Sequence, residues 1–500
     1  MMLVLAGIVI GLIPGLPIVH LDSEVVFLLF LPPVLYSAAW NTSLPDFTAA
    51  ARPISLLAIG CVLFTTGLVA VVAHYLIPGF GWAESFVLGA IISPPDAVAA
   101  TSATKGLGIP KRVITILEGE SLVNDSTGLI AYRYAVAAAA TGTFIFWLAA
   151  VNFIYVALVG IAIGFLVGIV FRWIHRITPD NAITDTTFTL LAPYTSYLIA
   201  EEFHTSGVLA VVTTGLFLSQ YMSEIFDHNT RLQAVSVWNV LIFLVNGIIF
   251  ILIGLQLPVI LENIGQYSFW QVVGYGALIS AATIVIRIVW VFPSAYLPQW
   301  VSEASRKRNE GITPGMIAIV SWAGMRGVVS LAAALALPLT VGEGIPFPNR
   351  DLIIFLTFCV IFSTLVVQGL TLPSLVRAMK LDPDMSDSRD HQQAKLVIAG
   401  KIIEHIEENY SLGLTEAVLA QIKSKYEIQI QRIRRDSSER KLTEEQIMEF
   451  LTIQRKLLNE ERAVVRSLRK EKKMSEEALR RIERELDLEE SRLAMEMEGE

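Results

Sequence analysis

Three stretches put ionisable side chains inside otherwise apolar sequence. The richest is Glu118-Gly119-Glu120-Ser121-Leu122-Val123-Asn124-Asp125-Ser126-Thr127-Gly128, flanked by Ile114, Ile116 and Leu117 before and Leu129, Ile130 and Ala131 after. On a helix, Glu120 and Asn124 are four apart and share a face, and Ser121 and Asp125 share the adjacent one. Together they make one polar stripe. A solvated helix would not have such apolar flanks, so the stripe must face a protein interior or a water-filled path.

The second stretch is Ser93-Pro94-Pro95-Asp96-Ala97-Val98-Ala99-Ala100-Thr101. Pro95 has no N–H to donate, and its ring disfavours helix in the residue before it. Pro94 and Pro95 should therefore break a helix, freeing carbonyls beside Asp96. The third is Trp322-Ala323-Gly324-Met325-Arg326-Gly327-Val328-Val329-Ser330, where Gly324 and Gly327 allow unwinding around a lone arginine. Arg326 stays charged and needs a carboxylate or several carbonyls. Glu120 is the expected partner, as a structural ion pair. A charge at the centre of a bilayer costs roughly 2.5–3.5 kcal/mol on insertion scales, so each of these groups is a functional candidate.

These residues must be carried by membrane spans. Hydrophobic residues make up 54% of the 500. Residues 1–380 hold only 16 of the 38 Lys+Arg and 19 of the 46 Asp+Glu; the last 120 hold the rest. The expected domains are a transmembrane one, 1–380, and a water-soluble tail, 381–500. Runs long enough to cross a bilayer give twelve helices: 2–19, 24–40, 52–77, 83–104, 112–139, 144–174, 183–200, 206–222, 234–257, 269–297, 313–338 and 351–378. With the N-terminus in the cytoplasm, the inside loops collect twelve Lys and Arg and the outside loops only Arg350, as the positive-inside rule requires. The tail is then cytoplasmic. The fold class is an all-α polytopic membrane protein with inverted repeats, two broken crossing helices and a helical C-terminal tail. Interrupted spans in corresponding places of two inverted halves point to a transporter site at the midplane.

The N-terminal run MMLVLAGIVIGLIPGLP lacks a basic n-region and reads as a span, not a signal peptide. Cys61 and Cys359 lie in distant apolar runs and read as small core residues. From Leu442 onward, apolar residues recur every three or four among charges, with Ser475 as an expected N-cap. This amphipathic tail reads as a regulatory or dimer-stabilising domain that could bind a cytoplasmic regulator; the alternative is a solvated tail with no specific partner. Net charge gives no sign of a nucleic-acid partner, and no catalytic constellation marks an enzyme.

SPPDAVAAT, GESLVNDSTGL and GMRGVVSLAAAL, in that order, resemble the monovalent cation:proton antiporter family, in the bacterial Na⁺/H⁺ exchanger branch with an Asn-Asp pair. The likeness spans the membrane domain. It implies a homodimer in the bacterial inner (plasma) membrane, each protomer with core and dimerisation parts, and usually twelve or thirteen spans; the twelve expected here include no counterpart of the helix that comes first in thirteen-span members. It implies that Asp125 binds cation and proton, that Asn124 stands where the electrogenic branch has a second aspartate, and that Ser121 and Asp96 are oxygen ligands. One departure is Pro95 before the aspartate, where relatives have Thr or Val. Na⁺ is a hard cation suited to Asp125, Asp96, Ser121 and freed carbonyls. Na⁺ and H⁺ then compete for one carboxylate. Asn124 adds no titrating group and Glu120 is occupied, so one-for-one electroneutral exchange is expected, serving pH and sodium homeostasis with no cofactor.

The rivals are a K⁺ or Li⁺/H⁺ antiporter of the same family, a cation channel, an organic-solute transporter and a receptor with a signalling tail. His204 is expected on the surface of an outside loop. Asp185 and Glu84 read as solvated groups near the membrane faces. Arg133 and Arg287 are either structural or paired across the core.

Overall fold

The architecture, taken from a computed structural model, is described for residues 23–379 apart from 105–106, 143–145, 179–180, 264–267, 302–312 and 342–344, together with four residues before Ser23 and scattered stretches after 380. The chain forms two compact units, Met1–Pro383 and Asp384–Glu500.

In the first unit the described elements run α1 (Ser23–Asn41), α2 (Leu44–Ala49), α3 (Ala51–Leu76), α4 (Trp82–Ile92), α5 (Ala97–Thr104), α6 (Lys111–Thr141), α7 (Phe146–Ile177), α8 (Ala182–Glu202), α9 (Gly207–Ile225), α10 (His228–Asn263), α11 (Phe269–Val301), α12 (Pro314–Trp322), α13 (Val328–Leu335), a ribbon of β1 (Thr340–Val341) and antiparallel β2 (Ile345–Pro346), and α14 (Arg350–Met379). These follow the expected spans from 24 onward, with the two interrupted ones each appearing as a pair of half-helices. The expected first span, 2–19, falls mostly outside the described residues.

Local chemistry sets the helix ends. Asn181 accepts from the amides of Ile183 and Thr184 to start α8, Ser206 accepts from Leu209 N to start α9, and Thr313 with Pro314 opens α12, all as N-capping predicts. Gly142, at φ 68°, ends α6 with its N–H on Ala138 O, the left-handed stop that glycine allows. The α3 and α14 helices each contain a π-helical turn, at Leu56–Cys61 and Thr364–Gln368, which their sequences do not announce.

Among the described residues, five helices are long and apolar enough to cross a bilayer: Ala51–Leu76, Ala149–Ile177, Thr230–Ile249, Trp270–Leu297 and Arg350–Met379. Some of the others fall short only in length, like α9 over Gly207–Met222; the rest include the broken pairs α4/α5 and α12/α13 and the polar α6, which carry the chemistry.

Two of the four apolar clusters among the described residues lie against α6 at its centre and outer end. One joins Leu88 and Ile91 of α4, Ile279 of α11 and Ile353 and Leu356 of α14. The other joins Leu35 and Tyr36 of α1, Val167 of α7, Ala192 of α8, Val211 of α9 and Trp238 of α10. The α6 helix lies between them, giving Tyr132 to the first and Leu122 to the second.

Asp185 is a correction to the sequence reading. It is buried, and His175 Nδ1 lies 2.7 Å from its Oδ1; a histidine ten residues away on the preceding helix replaces solvent. Glu84, in the first turn of α4, remains partly exposed. His204 is exposed, in a turn with φ 52°. Cys61 and Cys359 are free thiols, the first buried and the second partly so.

Within the second unit, 456–464 and 488–490 are helical, and Arg462 Nη2 donates to Glu490 Oε2 at 2.7 Å. Much of the amphipathic pattern expected from Leu442, including Ser475, lies outside the described residues.

Candidate functional site

The site begins with two interrupted helices. Helix α4 stops at Ile92 and α5 starts at Ala97; α12 stops at Trp322 and α13 starts at Val328. The extended segments touch: Asp96 N donates to Met325 O at 2.7 Å. Gly327 lies so close to the Asp96 carboxylate that a Cβ there would overlap it. Gly128 of α6 likewise leaves no room for a Cβ beside Pro94. The glycines of both motifs therefore permit close approach, bringing α6 and the second break onto the first.

Helix α6 sorts its polar stripe by face. Ser121 and Asp125 line a cavity of about 50 Å³ together with Pro94, Pro95, Asp96, Gly327 and Ser330. That is room for an ion or a few water molecules. Its remaining walls, from α1, α10 and α13, are largely apolar and include Phe30, Leu31 and Ile249. The other face is spent on structure. Asn124, wholly buried, donates from Nδ2 to Pro95 O at 2.7 Å. A carbonyl near the break is thereby satisfied, as an irregular backbone at membrane depth requires.

The expected Glu120–Arg326 ion pair is not formed. Glu120 pairs instead with Arg287 of α11: Nη1 donates to Oε1 at 2.6 Å and Nη2 to Oε2 at 2.8 Å, with both side chains 1% exposed. Arg287 Nη2 also donates to Val320 O near the end of α12. The planar guanidinium fork matches a carboxylate in this two-point geometry.

Arg326 takes the other option open to a buried cation. Its Nε donates to Ile92 O at 2.6 Å and its Nη1 to Gly324 O. Its backbone N–H donates to Thr364 Oγ1 at 3.1 Å, beside the π turn of α14. A positive charge thus sits at the C-terminal ends of half-helices α4 and α12, where carbonyls and the helix dipole are negative. The reason for the correction is reach: α11 brings Arg287 against Glu120, while the break holds Arg326 over carbonyls.

Of the two alternatives open for Arg287, pairing across the core is the one formed, with Glu120 as the partner. One cavity residue, Ser330, is not singled out by the sequence. Ser330 is one turn beyond Arg326. Its buried hydroxyl lines the cavity and has no hydrogen-bond partner, and its four-residue spacing from Arg326 was the available hint.

A family model described as sodium/hydrogen exchanger, transmembrane, matches residues 1–378. The chain belongs to the sodium/hydrogen exchanger family. It is thereby a monovalent cation:proton antiporter of the multi-pass membrane type. It is 33% identical over 499 residues to the uncharacterized Na(+)/H(+) exchanger Rv2287 of Mycobacterium tuberculosis (strain ATCC 25618 / H37Rv), covering 98% of this chain and 91% of that protein. It is 32% identical over 444 residues to the sodium, potassium, lithium and rubidium/H(+) antiporter of Bacillus pumilus (strain SAFR-032), covering 86% of this chain and 65% of the relative. In fold it resembles the sodium proton antiporter MjNhaP1 from Methanocaldococcus jannaschii, with a TM-score of 0.58 at 19% identity, over 76% of this chain and 91% of that one. These relatives are named as exchangers and antiporters, in keeping with the family that the chain belongs to.

Proposed function

We propose that this exchanger carries Na⁺ against H⁺ one for one, with Asp125 as the carboxylate that the two ions occupy by turns. The observation that carries the reading is the division of labour along α6. Asn124 is bound to Pro95 O and Glu120 to Arg287, which leaves Ser121 and Asp125 of that stripe facing the cavity with Asp96. Asp125, Asp96 and Ser121 supply the hard oxygen donors that suit Na⁺. Asp96 adds ligand charge, while its backbone N–H holds the two breaks together.

An ion and a proton cannot both be held at full strength by one carboxylate. If the cavity changes sides only when loaded, Na⁺ crosses one way and H⁺ the other. Asn124 contributes no proton, so each cycle moves no net charge and a proton gradient expels Na⁺ from the cell. The exchanger would act as a homodimer in the bacterial plasma membrane, with Asp384–Glu500 as a cytoplasmic regulatory unit. No cofactor enters this cycle.

A K⁺ or Li⁺ cargo is the second reading, favoured by the Bacillus pumilus relative, whose name includes both ions. Proteoliposomes loaded with Na⁺, K⁺ or Li⁺ and given a pH gradient distinguish the cargoes. Asp125→Asn should abolish exchange while the protein stays folded; retained exchange removes Asp125 from the mechanism. An imposed membrane potential should leave the rate unchanged, and a potential-driven Na⁺ flux would instead require unequal stoichiometry.

A further inference from the structure

A second cavity, of about 60 Å³, lies toward the Thr141 end of α6, lined by Arg133, Glu201, Tyr197, Ser206, Leu129 and others. Helix ends build it: Glu201 is in the last turn of α8, and Ser206–Val208 start α9. Its lining shares Phe27, near the start of α1, with the Asp125 cavity. Asp125, Leu129 and Arg133 follow at four-residue intervals on α6. They form a row along one helix face, rising about 12 Å. The row runs from the Asp125 carboxylate, past an apolar position, to Arg133, eight residues before the end of α6. There Arg133 Nη2 donates to both Glu201 carboxylate oxygens, at 2.8 and 2.9 Å. This pair ties α6 to α8. The Arg133 side chain is 51% exposed and that of Glu201 32%, so the pair is wet and cheap to open. Phe27 and Leu129 are partly buried and pack against apolar clusters on both sides of α6.

We propose that this vestibule is the entrance to the ion site from the membrane face opposite Lys111, closed by two layers: an ionic latch, Arg133–Glu201, and an apolar plug, Phe27 with Leu129. While the latch is shut, the two charges cancel and α6 is held to α8. When it opens, Glu201 becomes the first carboxylate that an arriving cation meets, and the plug separates it from Asp125. While shut, the latch positions α6; Glu201 meets a passing cation only in the open state, and Asp125 remains the carboxylate that carries it. The proposal rests on the reading of the Asp125 cavity as the ion site.

The test is sided thiol labelling, which needs no transport. Val34 lines the Asp125 cavity; Val34→Cys, in a Cys61→Ser/Cys359→Ser background, reports whether that cavity is open. A membrane-impermeant thiol reagent is applied to the face at the Thr141 end of α6. With the latch intact, labelling should be slow. Glu201→Gln or Arg133→Gln should speed it about two- to five-fold, what a half-exposed ion pair is worth, and Phe27→Ala by more than about ten-fold, since it empties the plug. The charge swap Arg133→Glu/Glu201→Arg should restore slow labelling. High choline chloride should speed labelling with the latch intact, because salt screens an exposed pair; this arm still decides if a latch variant fails to fold. Equal labelling in all variants and salts, or a swap as fast as the single changes, overturns the gate. Exchange assays on the same proteins separate the two claims: exchange with latch-independent labelling removes the gate alone, and latch-dependent labelling without exchange removes the antiport reading alone.

Discussion

Removing Arg287 should strip Glu120 of the one cation it is hydrogen-bonded to among the described residues, at a depth where water cannot replace it. The pair is bidentate, with both side chains 1% exposed. Breaking such a pair from one side costs about 3–5 kcal/mol, because an uncompensated charge stays buried. Arg287→Ala also forfeits the bond to Val320 O, about 1 kcal/mol more. Glu120→Gln removes the stranded charge, so Arg287→Ala/Glu120→Gln should recover much of the loss. The coupling in that double-mutant cycle should be about 2–3 kcal/mol, the upper range for residues in direct contact. The same cycle with Arg326→Ala should give a smaller coupling, because Arg326 lies beside Arg287 across Gly324 but donates to Ile92 O and Gly324 O rather than to Glu120. Thermal unfolding in detergent micelles, followed through a fused fluorescent reporter, measures all five variants. A coupling of Glu120 to Arg326 that exceeds its coupling to Arg287 would refute the assignment of the ion pair.

Gly327→Ala should disable exchange, since the new methyl falls on the Asp96 carboxylate; overpacking of this kind costs about 1–3 kcal/mol, and cation binding should weaken with it, measurable as a raised KM for Na⁺. Proton–cation competition predicts that the apparent KM for Na⁺ rises about ten-fold per pH unit of acidification once the carboxylate is mostly protonated; a pH-independent KM in proteoliposomes would exclude a shared site.

The breaks were legible because Pro94-Pro95 and Gly324–Gly327 act through the backbone, and backbone chemistry is local. The division of α6 into a Ser121/Asp125 face and a Glu120/Asn124 face was legible for the same reason: helical geometry needs no partner. Which arginine meets Glu120 was not, because two lone arginines in two apolar spans look alike until the helices are packed. Reach along a side chain then decides, and Arg326 is held by carbonyls that exist only once both breaks have formed. The His175–Asp185 pair and the π turns of α3 and α14 are likewise products of packing. Hydropathy alone would have missed the helices that matter most, since α6 is too polar and the broken ones too short.

The amide of Asn124 has a mechanical role that bears on how such a machine can change. Its NH₂ group is a strut under the carbonyl of Pro95. An aspartate in its place could brace that oxygen only while protonated, and once ionised would push against it. A descendant that gained a second titrating acid here, and with it a voltage-sensitive cycle, would therefore find its framework loosening and tightening with each turnover. Retuning the charge carried per cycle would require rebuilding the hinge, so stoichiometry and scaffold would have to evolve together.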